Sequence, residues 1–290
     1  MIKAYKETFV RLLLGTVAWS SLLFLGLIMA FLFMEGVPAF KEIGVGGFIF
    51  GKNWYPTATP PEFQILPMVV GSVVVSLVAS CLAIPLGVMT AVWLTEVAAA
   101  VLRRIIKPVI ELLAALPSVV IGFFGMIMLA PVLQDWFDAD SGLNLLNAGI
   151  MLAFMSVPTI CSVAEDALFG VPQSLREASL ALGATRWETT VKVVIPAAFS
   201  GISTACMLGI SRSMGETMVV LMVAGGAGII PESLFEPVRP MPSAIAAEIA
   251  EASFRGDHYH ALFAIGIVLF LFTLTFNLVA QMISLKKARV

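Results

Sequence analysis

The chain has 290 residues, of which 59% are hydrophobic and 12% charged, with a formal net charge of −2. Soluble domains carry roughly 45–50% apolar and about 25% charged residues, so a water-soluble globule is excluded. At about 20 residues per membrane crossing there is room for about six spans, and what remains is too short and scattered for a soluble catalytic domain.

The first apolar stretch, 12–33, follows Lys3, Lys6 and Arg11. It is longer than the roughly 7–15 residues of a signal-peptide core, and no small-residue cleavage site follows, so a retained span is expected. Further spans are predicted at 66–95, 109–133, 145–164, 197–224 and 260–284. Continuous apolarity without two-residue alternation selects helices over a barrel, which predicts an all-α integral membrane protein with six transmembrane helices. Pro67, Pro85, Pro117, Pro131 and Pro158 interrupt or bound the middle spans. Each can kink a helix and so open a cavity, or it reflects only the ordinary composition of transmembrane helices. Cys81, Cys161 and Cys206 lie in apolar runs with no Cys-x-x-Cys spacing, which fits packing and offers neither a disulfide frame nor a metal site.

Orientation follows from basic residues near the span ends. One side gathers 12 of them: Lys3, Lys6, Arg11, Arg103, Arg104, Lys107, Arg176, Arg186, Lys192, Lys286, Lys287 and Arg289. The other holds four, Lys41, Lys52, Arg239 and Arg255, so both termini are expected in the cytoplasm. The outer connections also carry eleven acidic residues, a field that does not attract anions. Either the solute is not an anion or another molecule delivers it. Lys107 and Glu111, four apart near an inner span end, are expected to pair. His258 and His260 are expected to be solvated, and 241–254 reads as a short outer helix.

The longest polar interruption on the inner side, 165–196, reads as two short helices around a glycine. Ser174-x-x-Glu177 and Thr185-x-x-Glu188 both have capping-box spacing, and Gly183 supplies a left-handed stop, followed by Ala184. Such a hairpin either docks into a groove on another protein or lies inert on the bilayer surface.

Within the fifth predicted span stands Arg212, where a charge costs at least ~2.5–3.5 kcal/mol on insertion scales. Glu216 lies four residues on, so on one continuous helix the two share a face. They form either a structural ion pair or part of a solute pathway, with Thr217, Ser213 and Ser211 alongside.

Glu177-Ala178-Ser179, Gly183 and Val193-Val194-Ile195-Pro196 resemble the EAA loop of ABC importer permeases, E-A-A, three residues, G, nine residues, I-x-L-P. Ser179, Val193 and Ile195 are conservative departures. Leu116 to Gly125, with Pro117-Ser118-Val119-Val120, Gly122 and Gly125, resembles a stretch of phosphate importer permeases. Arg212-Ser213-Met214-Gly215-Glu216-Thr217-Met218 and Gly51-Lys52-Asn53-Trp54-Tyr55-Pro56 resemble segments of their C-type subunit.

The resemblance implies a type I ABC importer permease fold in a bacterial or archaeal cytoplasmic (inner) membrane. Its implied partners are an A-type phosphate permease subunit, a dimer of ATP-binding subunits, membrane lipid and a periplasmic or lipid-anchored phosphate-binding protein, with no nucleic acid. That binding protein would deliver the anion past the acidic face. The chain has no G-x-x-x-x-G-K-[ST] loop, so ATP and Mg belong to the partner ATPase and no cofactor is expected on this chain. The implied ATPase-coupling residues are Ser174, Glu177, Ala178, Gly183, Ala184 and Thr185. Arg212 would offer phosphate a planar fork of donors, with Glu216 holding it and competing with the anion. Competing readings are an ABC permease for molybdate, sulfate or an organic solute, an ion-coupled secondary transporter, and a non-transporting membrane scaffold.

Overall fold

A computed structural model describes the backbone of residues 2–287 and the side chains of 10–282. The terminal basic side chains Lys3, Lys6, Lys286, Lys287 and Arg289 lie outside the described residues. Helix α1 (Ile2–Ile43) is apolar and largely exposed until its outer end. There Gly36 fits against the backbone of Phe263 and Ala264, and Phe31 meets the Phe263 ring edge-on at 5.5 Å. A short helix α2 (Val45–Phe50) and a two-stranded hairpin, β1 (Trp54–Tyr55) and β2 (Glu62–Phe63), cap that end.

Helix α3 (Leu66–Val92) starts with Pro67 in its first turn, where a missing N–H costs nothing, and closes in a π-helical turn, Trp93–Val97. It lies along α6 (Leu145–Phe169), the most buried span. A Cβ on Gly87 would stand 2.8 Å from Ile160, and one on Gly149 would stand 2.4 Å from Val78. Small residues let the two backbones approach, the means by which helices associate where lipid is as apolar as their side chains.

The third span begins later than the sequence suggests. Helix α4 (Ala100–Ala114) stops before Leu116-Pro117, and the crossing helix is α5 (Ser118–Phe137) rather than 109–133. Pro117 disfavours helical backbone at Leu116, which breaks a run that reads as continuous by hydropathy alone. A π-helical turn, Gly125–Leu129, precedes Pro131, which cannot donate to the ladder. Lys107 does not pair with Glu111. Its Nζ lies 3.2 Å from Glu165 and 3.1 Å from Asp166 at the end of α6, because that side of α4 faces α6.

After α7 (Gln173–Ala181) the expected fifth span is broken. Helices α8 (Arg186–Ala197) and α9 (Phe199–Met214) meet at 70°, and α9 ends before Gly215 to give way to α10 (Met218–Val223). The chain then folds back. Val238 N–H donates to Ala224 O at 2.8 Å, and Gly226 N–H donates to Val238 O at 3.1 Å, with Gly225 and Gly226 at φ of 83° and 71°. Helix α11 (Met241–Glu248) is shorter than the expected outer helix, and its first turn is buried against α3 and α12 (Asp257–Lys287). Among the described residues five helices are long and apolar enough to cross a membrane, or six when the bent pair α8–α9 is counted as one span.

Because α12 starts at Asp257, His258 and His260 stand on its first turn, not in a solvated loop. His258 Nε2 lies 2.8 Å from Glu248 Oε2 with its ring stacked on Phe63, and His260 Nδ1 lies 2.7 Å from Glu35 O. The outer end is thus closed around two carboxylates that are nearly or fully buried, Glu35 and Glu248.

Candidate functional site

Two regions carry chemistry that apolar spans do not need, one at the end of α9 and one on the polar hairpin between α6 and α9.

Arg212 stands exposed in the last turn of α9, and Glu216 lies past the end of that helix. The four-residue spacing therefore does not place them on one face. Among the described residues no hydrogen bond or ion pair joins them. Met214 is the last residue of α9 and Gly215 caps it, so the chain turns before Glu216. The break gives each charge its own compensation. A helix C-terminus favours the guanidinium, and the start of α10 favours the carboxylate. Thr217 is half-buried with its hydroxyl 3.5 Å from Gly215 O. Ser213, placed with these residues by sequence, is instead turned into the core. Its hydroxyl donates to Ile210 O at 2.8 Å, and the residue packs near Ala83, Ser156 and Gly209.

Hydropathy does not reveal the polar partner that α12 contributes. Asn277 accepts a hydrogen bond from the Ser211 hydroxyl at 2.5 Å, and together with Ser200, Thr204 and Gln281 these residues line a cavity of about 320 Å³ between α9 and α12. Two amides four residues apart in an apolar run, Asn277 and Gln281, were the available signal. Among the described residues no group of three His, Cys, Asp or Glu side chains is placed to hold a metal ion.

On the hairpin, α7 starts two residues after Val171, behind Pro172. Ser174 consequently lies inside the first turn and does not cap the helix, contrary to its spacing with Glu177. Gly183 does end α7, at φ 85°. Its N–H donates to Leu180 O at 3.0 Å and that of Ala184 to Ser179 O at 3.3 Å, the paired bonds of a Schellman stop. Thr185 and Glu188 form the expected reciprocal capping box on α8. The Ser179 and Thr189 hydroxyls, 2.9 Å apart, tie the two short helices together. Glu177 and Ala178 are exposed, as are Leu182 at 91% and Trp187 at 67%. Apolar side chains displayed beside charged ones on a short rigid hairpin suit insertion into a groove of another protein.

An ionic cluster lies at the end of α6 that leads into the hairpin. Glu165, buried at the end of α6, receives Arg103 at 2.8 Å and Lys107 at 3.2 Å, and Arg103 also lies over the Phe169 ring. Burial presses the Lys107 ammonium down, but hydrogen bonds to Asp166 and Glu165 outweigh it and leave its pKa above the ordinary value. Arg176 of α7 pairs with Glu96, which closes α3.

A family model described as a binding-protein-dependent transport system inner membrane component matches residues 83–289. The chain is 37% identical over 262 residues to the probable ABC transporter permease protein YqgH of Bacillus subtilis strain 168, covering 90% of this chain and 85% of that one. To the phosphate transport system permease protein PstC of Pasteurella multocida strain Pm70 it is 36% identical over 270 residues, covering 87% and 83%. Among solved structures it is similar to a bacterial alginate ABC transporter in complex with its pentasaccharide-bound periplasmic protein, with a TM-score of 0.67, 17% identity and coverage of 95% and 93%. An inward-facing MetNI methionine ABC transporter gives a TM-score of 0.56 at 19% identity, covering 75% and 91%. At such identities the likeness carries the fold.

Proposed function

The chain belongs to the family of binding-protein-dependent transport system inner membrane components, and from that premise we propose that it is the C-type permease subunit of an ATP-driven inorganic phosphate importer. It is a multi-pass membrane protein with the type I ABC importer permease fold. The observation that carries the substrate is the 36% identity, over 83% of its length, to a phosphate transport system permease. In this reading the chain forms the translocation pathway with an A-type permease subunit in a bacterial or archaeal inner membrane. A phosphate-binding protein delivers the anion to the outer face, and an ATPase dimer hydrolyses ATP with Mg on the cytoplasmic side. This chain binds no cofactor and hydrolyses nothing itself.

Arg212, Glu216 and Thr217 mark the pathway. A guanidinium exposed on the chain surface within an apolar stretch is costly against lipid, so it faces water or the second permease. Its planar fork suits phosphate oxygens. Glu216 sits within four residues of it without being committed to it, so an arriving anion meets a cation that has no ion pair among the described residues and a nearby repulsive charge. Tight capture at one and release past the other is the arrangement that transport needs. Ser213 supports the wall of α9 from inside.

The exposed Glu177–Thr185 surface docks the ATPase, with Ser174, Ala178, Gly183 and Ala184 shaping it. ATPase closure pushes α7, and the rigid turn at Gly183 passes the push through α8 to α9.

The test is reconstitution of the four-component system in proteoliposomes. Phosphate uptake should require ATP, survive collapse of ion gradients and resist competition by molybdate or sulfate. Uptake that follows an ion gradient, or that another oxyanion displaces equally, overturns the assignment.

A further inference from the structure

The hairpin is fastened to the membrane helices by a side chain outside the motif that marks it. Arg176 lies in α7 beside Glu177, but where Glu177 is exposed, the Arg176 side chain is only 15% exposed. Its Nη1 pairs with Glu96, itself 13% exposed, in the π-helical turn that closes α3. Its Nη2 donates to Leu168 O at 2.9 Å, in the last turn of α6. One planar group therefore joins three elements. The carbonyl end of α6 attracts a cation, and the two bonds leave the guanidinium along fixed directions that an ammonium cannot reproduce.

Those two anchor points belong to a single body. Helices α3 and α6 make the most extensive contact in the chain, closed by Gly87 against Ile160 and Gly149 against Val78. Packing at that closeness has no slack through which one helix can move alone. The covalent route from α7 runs forward through Gly183 and α8 into α9, and back across the non-helical Gly170-Val171-Pro172 bend into α6. Arg176 adds a route outside the backbone, bracing α7 across that bend to the last turn of α6 and directly to the end of α3. Beneath α7 the pair borders a cavity of about 280 Å³, lined also by Gln173, Leu180, Arg186, Thr189 and Thr190. The pair is thus held by geometry at the edge of a cavity whose wall mixes polar and apolar side chains.

We infer that Arg176 is a positioning residue that makes the second and fourth spans move with the coupling helix, so that ATPase closure turns α3, α6 and α9 as one set. This rests on the reading of the hairpin as the ATPase docking element. Without the strut, closure would still push α9, while α6 would be reached only across the Gly170–Pro172 bend and α3 only through α6, and ATP would be consumed with little phosphate moved.

The experiment uses the complete reconstituted complex and reads phosphate transported per ATP hydrolysed, alongside copurification of the ATPase. Arg176→Gln should keep the ATPase bound and hydrolysing while phosphate per ATP falls about tenfold. Arg176→Lys, which keeps the charge and loses one of the two directed bonds, should fall in between. Arg176→Glu should be as uncoupled as Arg176→Gln, and adding Glu96→Arg should recover at least a third of the wild-type ratio. A ratio within twofold of wild type in Arg176→Gln overturns the inference. So does a charge-reversed pair no better than Arg176→Glu alone, and this second comparison decides the matter if Arg176→Gln fails to assemble. Failure of the wild-type chain to bind the ATPase would instead sink the docking reading beneath it.

Discussion

Arg212 stands in the last turn of α9 and Glu216 lies between its end at Met214 and the start of α10, and among the described residues no hydrogen bond or ion pair joins the two side chains. Their contributions to transport should therefore be independent. With Arg212→Gln, uptake should fall by two orders of magnitude or more while the ATPase still copurifies. With Glu216→Gln, phosphate should bind at least as well but leave more slowly. The double variant should show the sum of the two effects, with a coupling term below about 0.5 kcal/mol, as for side chains that do not touch. A double-mutant cycle on initial uptake rates measures that term. A large term would mean that the two residues meet in the working complex.

Gly183 holds φ at 85° with nothing within 4 Å of where a Cβ would stand. Space is not the constraint there; backbone conformation is. Gly183→Ala should cost about 1–2 kcal/mol locally, the usual penalty for an L-residue in the left-handed region, and a β-branched residue should cost more. The exposed position of the turn predicts that Gly183→Val leaves the membrane helices folded but rotates α7 against α8. Complexes should assemble, and their ATP hydrolysis should no longer rise when loaded binding protein is added. Normal stimulation in this variant would remove the Gly183 turn from the coupling route.

The hairpin also shows how far the sequence could be read. Its glycine stop and its second cap are local devices, fixed by residues within a few positions of each other, and both are present as the spacing implies. The first cap was misassigned because Ser174 and Glu177 have the right spacing but Pro172 had already started the helix. Hydropathy located the spans but not their breaks, since Leu116-Pro117 and Gly215 interrupt apolarity without lowering it. Contacts between distant segments left no comparable trace. Nothing near Glu96 in sequence indicates Arg176, 80 positions away, and nothing near Ser211 indicates Asn277, 66 positions away. His258 and His260 looked solvated for the same reason: their partners Glu248 and Glu35 lie on other elements.

Thr185 offers a contrast with Gly183 within one turn. Its hydroxyl accepts from Glu188 N–H at 3.2 Å, and the Glu188 carboxylate accepts from Thr185 N–H at 3.0 Å. Thr185→Ala should lose about 1 kcal/mol, a typical cap contribution, and α8 is short enough for that loss to fray its start. Amide exchange should quicken at Glu188 and Thr189 with little change in α7. Transport should fall by only a few-fold, because the Ser179–Thr189 hydroxyl pair still holds the two helices together.

At the outer end Glu248 is the shared acceptor of three donors from separate segments. Trp54 Nε1 reaches it at 2.9 Å, Arg239 Nη1 at 2.5 Å, and His258 Nε2 stands 2.8 Å away. It thereby joins the β1–β2 hairpin, the fold-back after α10 and the start of α12. Removing one partner of a buried pair costs roughly 3–5 kcal/mol, and since Arg239 is about a third exposed here, water offsets part of that. Glu248→Ala should lower stability by about 2–3 kcal/mol, read as thermal unfolding of the purified complex in detergent, and should open the segment 51–65 to protease. Glu248→Gln keeps the shape and one of the two acceptor oxygens, but replaces the other with a donor and removes the charge, so it should lose less than Glu248→Ala but not recover wild-type stability. If the two substitutions were equally harmful, the single remaining acceptor oxygen would contribute nothing to holding the outer end closed.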